Sequence, residues 1–133
     1  MIALDAEAVL EFWTERHLCT LTTLRRDGSP HVVPVGATLD VPAGLVRVIS
    51  SRGSAHVQHV AAGLDRVAIC QVDGARWITV EGKAQVRSAP DAVEEAVRRY
   101  AARYRPPRPN PLRVVLLVRV TKILGSSRLR VGS

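Results

Sequence analysis

Apolar and polar residues alternate along most of this chain, and only three stretches switch to a helical period. LCTLTTLR (18–25) and HVVPVGATLD (31–40) read as strands. Between them Arg25-Arg26-Asp27-Gly28-Ser29-Pro30 is a turn by composition, because Asp-Gly supplies the positive backbone angles of a tight hairpin and Pro30 closes the loop. Pro34 cannot donate to a ladder, so the second strand is expected at a sheet edge or at a bulge. Val41-Pro42-Ala43-Gly44 is a further turn, and residues 45–50 (LVRVIS) alternate as a third strand. Residues 65–72 and 76–88 give two more, joined by a second Asp-Gly turn, and residues 112–124 form a long last strand.

The helical stretches are short. In residues 4–16, Leu4, Ala8 and Phe12 share one face with Val9 and Trp13 beside it, and Asp5 stands as an N-cap. Residues 54–62 read as a short helix capped by Ser54. Over 90–104, Val93, Val97 and Tyr100 share a face, Pro90 suits the first turn, and Ser88 or Asp91 is the expected cap. The repeated prolines of Arg105-Pro-Pro-Arg-Pro-Asn-Pro111 forbid regular pairing and mark an extended linker. Six strands with frequent turns predict a mainly β fold, a six-stranded antiparallel barrel with a few peripheral helices.

The 133 residues suffice for one domain with its own core, and 47% apolar with 23% charged residues are ordinary globular values. One domain over 1–133 is therefore expected. No apolar run approaches a membrane span, and Asp5, Glu7 and Glu11 stand where a signal peptide would be basic, so the expected location is the cytoplasm. The net charge of +7 comes almost wholly from arginine, Lys83 and Lys122 being the only lysines. With aromatics at 4% and no concentrated basic face, stacking platforms for nucleic acid are scarce, and the charge suits a small anionic ligand better. Cys19 and Cys70 form no CxxC pair or Cys/His cluster, so reduced thiols are expected and no metal site.

The best anion site by local chemistry is Ser50-Ser51-Arg52-Gly53-Ser54-Ala55-His56, where hydroxyls, a guanidinium and an imidazole gather at a strand-to-helix turn. The same residues also read as a solvated turn with an N-cap. His31 and His56 are candidate acid–base groups, ahead of His17 and His59. Trp77, beside Arg76, either walls a planar ligand or packs in the core. No carboxylate dyad, GxSxG, GxGxxG or GxxxxGK[ST] is present, so glycosidase, serine hydrolase and common nucleotide chemistries lack support.

The order of segments from Val9 to Ser127 resembles the pyridoxamine-phosphate-oxidase-like split β-barrels, which bind flavin or deazaflavin cofactors. Residues 18–35, Gln71-Val72-Asp73-Gly74-Ala75-Arg76-Trp77 and 99–111 are similar to the actinobacterial branch that uses coenzyme F420, and within it to the mycobacterial F420-dependent biliverdin reductases. The resemblance implies an F420H2-dependent reductase passing a hydride to an acceptor, with biliverdin to bilirubin as the expected reaction and a tetrapyrrole as the acceptor class. It implies a homodimer with the cofactor groove between protomers. The implied cofactor-binding residues are His31, Val32, Val33, Pro34, Val35 and Gly36; Ile49, Ser50, Ser51, Ser54, Ala55 and His56; and Arg76, Trp77 and Ile78. No catalytic residue is implied.

The family's phosphate site usually carries an Arg-Lys pair at the start of the short helix, where this chain has Ala55-His56. That departure argues against ordinary FMN binding. The long C-terminal extension of the pyridoxine-phosphate oxidases is not expected beyond the last strand. Two alternatives stand beside the leading expectation: an FMN-dependent oxidoreductase, and a cofactor or tetrapyrrole carrier without turnover.

Overall fold

The computed structural model describes residues 6–126, so the Asp5 cap and the residues after Ser126 lie outside the described residues. In chain order the elements are α1 (Ala6–Thr14), β1 (Cys19–Leu24), β2 (Pro30–Val35), β3 (Ala37–Asp40), β4 (Leu45–Ser51), α2 (Ala55–Ala61), β5 (Arg66–Asp73), β6 (Arg76–Arg87), α3 (Pro90–Arg103) and β7 (Arg113–Gly125). The Arg25–Pro30 turn forms as expected: Gly28 has φ 86°, and the Asp27 carboxylate accepts from the Ser29 backbone N–H at 2.9 Å.

The strands form one sheet in the order β2-β1-β5-β6-β7-β4-β3, and every pairing is antiparallel. β2 and β3 lie at opposite edges of that sheet, yet only Gly36 separates them in sequence. The sheet must therefore curl so that its two edge strands approach one another at this residue, as in a split barrel. The expected single strand over 31–40 is in fact two strands, and the count is seven rather than six. Its switch falls at Gly36 for a steric reason. A Cβ there would lie 2.6 Å from Tyr100 Cε2 and 3.0 Å from Tyr104 Cε2, so the rings of Tyr100 in α3 and of Tyr104 at its C-cap press directly on the joint. β2 is an edge strand, as Pro34 requires.

Inside the barrel, Leu21, Val46, Val48, Ile69, Ile78, Val80, Leu116 and Val118 are fully buried. Phe12 and Trp13 of α1 and Val57 and Val60 of α2 complete this core. One end is closed by a polar hub instead. Gln71, with no exposed surface, donates from Nε2 to the Phe12 carbonyl at 2.7 Å and accepts from the Arg103 guanidinium. Arg103 also donates to the carbonyls of Glu15 and Ala37, and the Tyr104 hydroxyl donates to the His17 carbonyl at 2.6 Å. These bonds fix the end of α3, and with it the two rings, over the barrel joint.

The α3 cap differs from expectation. Ala89 occupies the cap position with no side-chain bond, and Pro90 supplies the preset first turn. Both cysteines are free. Cys19 is buried, and burial pushes its thiol up to about 11, which keeps it protonated and unreactive. Cys70 is only half-buried.

Candidate functional site

β4 ends at Ser51, the chain turns through Arg52 and Gly53, and α2 begins at Ala55. Backbone bonds hold this turn: Ser54 N donates to the Ser51 carbonyl at 3.0 Å, and Arg52 N donates to the Leu112 carbonyl at 2.9 Å. The second bond brings the proline-rich segment 105–111 alongside. Between that segment, the β4–α2 turn and the β2–β3 joint lies a cleft of about 380 Å³.

Eight of the fifteen expected cofactor residues line this cleft. Pro34, Val35 and Gly36 form one side, and Ile49, Ser50, Ser51, Ser54 and His56 form the other. The remaining wall comes from Tyr100, Pro107, Asn110 and Arg113. Ser54 sits at the α2 cap position with extended backbone, yet its hydroxyl makes no capping bond and has no partner among the described residues. The cap reading of Ser54 thus holds for its backbone and not for its side chain. The Ser51 Oγ accepts from Asn110 Nδ2 at 2.6 Å, and Ser50 Oγ lies 2.8 Å from His56 Nε2. No carboxylate lines the cleft, whereas Arg113 does. Hydroxyl donors and a guanidinium without a competing acid suit a phosphate or carboxylate group.

His31 and His59 cluster with His56 behind this wall. Burial first, and then His31 and His59, hold His56 below its ordinary pKa, so near neutral pH it is uncharged and shares one proton with Ser50. His59 bonds Thr23 Oγ1 through Nδ1 at 2.9 Å and is likewise lowered, by burial, His31 and Arg25. The His31 ring meets His59 edge-on at 5.2 Å between centroids, and its Nδ1 is buried without a partner among the described residues. His31 stands beside the cleft rather than in it.

The other expected residues lie elsewhere on the protomer. Val32 is 57% exposed on edge strand β2, Val33 packs against the core, and Ala55 is exposed. Arg76 is bonded to Glu15 at 2.8 Å and to Asp73 at 2.7 Å. The Arg76 and His17 bonds hold the Glu15 carboxyl down to about 2. Glu15, His17 and Asp73 lie close enough to suggest a cation site, but Arg76 already supplies the positive charge there. Ile78 is fully buried in the core, while Trp77 is 36% exposed on the outer face of the barrel.

Sequence reasoning missed Tyr100, Pro107, Asn110 and Arg113. The dense arginine and proline pattern of 98–113 was the visible signal, but a linker reading of that stretch hides its contact with Ser51.

A family profile described as pyridoxamine 5'-phosphate oxidase matches residues 6–126. Over 127 residues the chain is 50% identical to the F420H(2)-dependent biliverdin reductase of Mycobacterium tuberculosis (strain CDC 1551 / Oshkosh), covering 93% of this chain and 90% of that protein. Among solved structures it is similar to an F420 reductase, with TM-score 0.68 and 21% identity, covering 86% of this chain and 94% of the other. A conserved hypothetical protein of Mycobacterium tuberculosis superposes with TM-score 0.79 at 20% identity, covering 94% and 86% of the two chains. A curled seven-stranded antiparallel sheet, an anion-suited cleft at the joint of its edge strands and a profile match across all the described residues lead to one assignment: this chain belongs to the pyridoxamine 5'-phosphate oxidase family.

Proposed function

We propose that this protein is an F420-dependent oxidoreductase that reduces biliverdin to bilirubin. The observation that carries the cofactor assignment is the cleft at Ser50–His56, taken with the 50% identity to an F420H(2)-dependent biliverdin reductase. The donor set passes the test of fit: Ser51, Ser54 and Arg113 can meet phosphate oxygens, and no carboxylate opposes them. Position 56 carries a histidine held uncharged where the family usually has a lysine at its flavin-phosphate site, and this departure counts against ordinary FMN binding.

When bound, the reduced deazaflavin supplies a hydride. The chain's own residues bind, orient and exclude water. Val35 and Ile49 give the cleft apolar wall on either side of Gly36, which leaves room for a flat ring next to the barrel joint. Tyr100 closes the far side and is held there by packing against Tyr104 at 4.9 Å between centroids. His56 and Ser50 hold a proton between them at the cleft wall. Side-by-side titration of the free protein with F420 and FMN tests this reading, with F420 expected to bind at least about tenfold tighter, a difference of about 1.4 kcal/mol. Tighter binding of FMN contradicts it.

The reading includes a homodimer. Leu18, Val32 and Val72 are 65%, 57% and 62% exposed, and Trp77 and Leu124 are each 36% exposed. Val72 faces Trp77 across β5 and β6, Leu124 lies opposite Thr79, and Val32 lies opposite Thr22, so these apolar side chains share the outer face of adjacent strands. A second copy is the natural cover for such a face in a protein whose expected cofactor residues include Trp77. Sedimentation is expected to show a dimer at micromolar concentration and a monomer with weakened cofactor affinity for Val72→Glu. A wild-type monomer that binds F420 fully overturns the dimer. Among the described residues no helix is long and apolar enough to cross a membrane.

A further inference from the structure

The proline-rich segment is more than a connection between α3 and β7. A second cavity of about 580 Å³ runs along it, lined by Arg105, Arg108 and Arg113, and shares Tyr100, Pro107, Asn110 and Arg113 with the cleft. No acidic residue lines this cavity, and none of the three arginines has an ion-pair partner among the described residues. Arg47 and Arg99 are neutralised by Asp40, Arg76 by Glu15 and Asp73, and Arg98 by Glu95, whereas here three arginines without an ion pair share one concavity, Arg113 donating only to the Arg108 carbonyl. Uncompensated charge concentrated in one concavity is the mark of an anion site.

Asn110 joins this cavity to the cleft in a defined way. Its Oδ1 accepts from the Leu112 backbone N–H at 2.9 Å, which settles the orientation of the amide and leaves Nδ2 to face Ser51 at 2.6 Å. Because Ser51 Oγ accepts there, its own hydrogen must point away from Asn110, and it has no acceptor among the described residues. Asn110 thus presets Ser51 as a donor.

We propose that residues 105–113 are the second half of a two-part anion site, built for a ligand that carries two or more negative groups along one chain. Asn110 is the positioning residue that aims the Ser51 hydroxyl at the first group, and Arg105, Arg108 and Arg113 receive the groups that follow. The proposal rests on the functional reading above only for the ligand's identity. A phosphate followed by carboxylates on the cofactor and the paired propionates of a tetrapyrrole acceptor share this chemistry.

Calorimetric titration with inorganic tripolyphosphate and with monophosphate tests the site without the cofactor. The wild type is expected to bind tripolyphosphate at least tenfold tighter than monophosphate. The double variant Arg105→Ala/Arg108→Ala is expected to lose that preference while keeping its monophosphate affinity. Asn110→Asp reverses the Ser51 hydrogen and adds a negative charge, so it is expected to weaken both ligands tenfold or more. Asn110→Ala is expected to weaken them only about threefold, with a melting temperature equal to that of Asn110→Asp. A residue serving the fold alone would leave the folded Asn110→Ala variant at wild-type affinity. No preference in the wild type, or wild-type affinity in Asn110→Ala, overturns the proposal.

Titrating the same arginine variant with F420, and measuring its KM for biliverdin, separates the two sources. A weaker F420 constant alone assigns the cavity to the cofactor, and a raised KM alone assigns it to the acceptor. Wild-type protein that fails to bind F420 but keeps the tripolyphosphate pattern overturns the functional reading and leaves the two-part site standing.

Discussion

Replacing Ser54 by glutamate (Ser54→Glu) is expected to raise the dissociation constant for F420 about 100-fold, equivalent to about 2.7 kcal/mol. The substitution removes a hydroxyl that lines the cleft without any partner of its own and puts a carboxylate where no acidic residue stands. Loss of a charge-assisted bond costs about 1.5–3 kcal/mol, and repulsion between like charges in a half-enclosed cleft adds to that. Folding is expected to be little affected, because the Ser54 side chain makes no capping bond to α2. Fluorescence titration with a parallel melting curve reads both quantities. An affinity within threefold of wild type, with the fold intact, would show that the phosphate lies elsewhere.

The largest expected effect on stability is at Arg103. Arg103→Met retains most of the aliphatic stem but removes donors to the Glu15 and Ala37 carbonyls and to the Gln71 side chain, which is fully buried. Three charge-assisted bonds, each worth about 1.5–3 kcal/mol, are lost, while the Tyr104 hydroxyl still reaches the Ala37 carbonyl and the Cys19 thiol the Gln71 oxygen, so a loss of about 3 kcal/mol is expected. That is a large share of the roughly 5–15 kcal/mol that holds such a domain folded. Urea denaturation gives the number directly. The same variant is expected to loosen Tyr104 and Tyr100 against Gly36 and so to weaken cofactor binding in the fraction that remains folded. A change under 1 kcal/mol would mean that water replaces the guanidinium at this end of the barrel.

Much of the architecture was legible from alternation and turn chemistry alone. The two Asp-Gly turns, the edge position of the Pro34 strand and the three helices all follow from residue types whose backbone preferences are local. Closure of the barrel was not legible, because alternation continues across Gly36 while the pairing partner changes from β1 to β4. What forces the change is the approach of Tyr100 and Tyr104, more than sixty residues away in sequence, and no local pattern carries that information.

The site divides in the same way. Ser50, Ser51, Ser54 and His56 lie within one seven-residue stretch, and their residue types suited both an anion cradle and a solvated turn. Asn110 and Arg113 join the cleft through one backbone bond, from Arg52 to Leu112, and one side-chain bond, from Asn110 to Ser51. Pairings between distant segments of this kind are set by the β4–β7 register. Arg76, Trp77 and Ile78 show the limit of a resemblance. Ile78 belongs to the core of its own protomer, and Trp77 lies on the apolar outer face assigned to the second copy, so their part in the cofactor groove rests on the dimer.

The proposed hydride transfer from reduced F420 to biliverdin at this cleft can be read directly from turnover. The most direct measurement follows the absorbance of reduced F420 and the formation of bilirubin together, with wild-type protein, biliverdin, and either reduced F420, NADPH or reduced FMN as donor. Equimolar loss of reduced F420 and gain of bilirubin is expected, with far slower turnover with the other two donors and a rate that falls as added salt screens the arginine-rich cleft. Oxidation of reduced F420 without bilirubin would contradict the substrate, and no oxidation of F420 above the protein-free rate would contradict the claim as a whole.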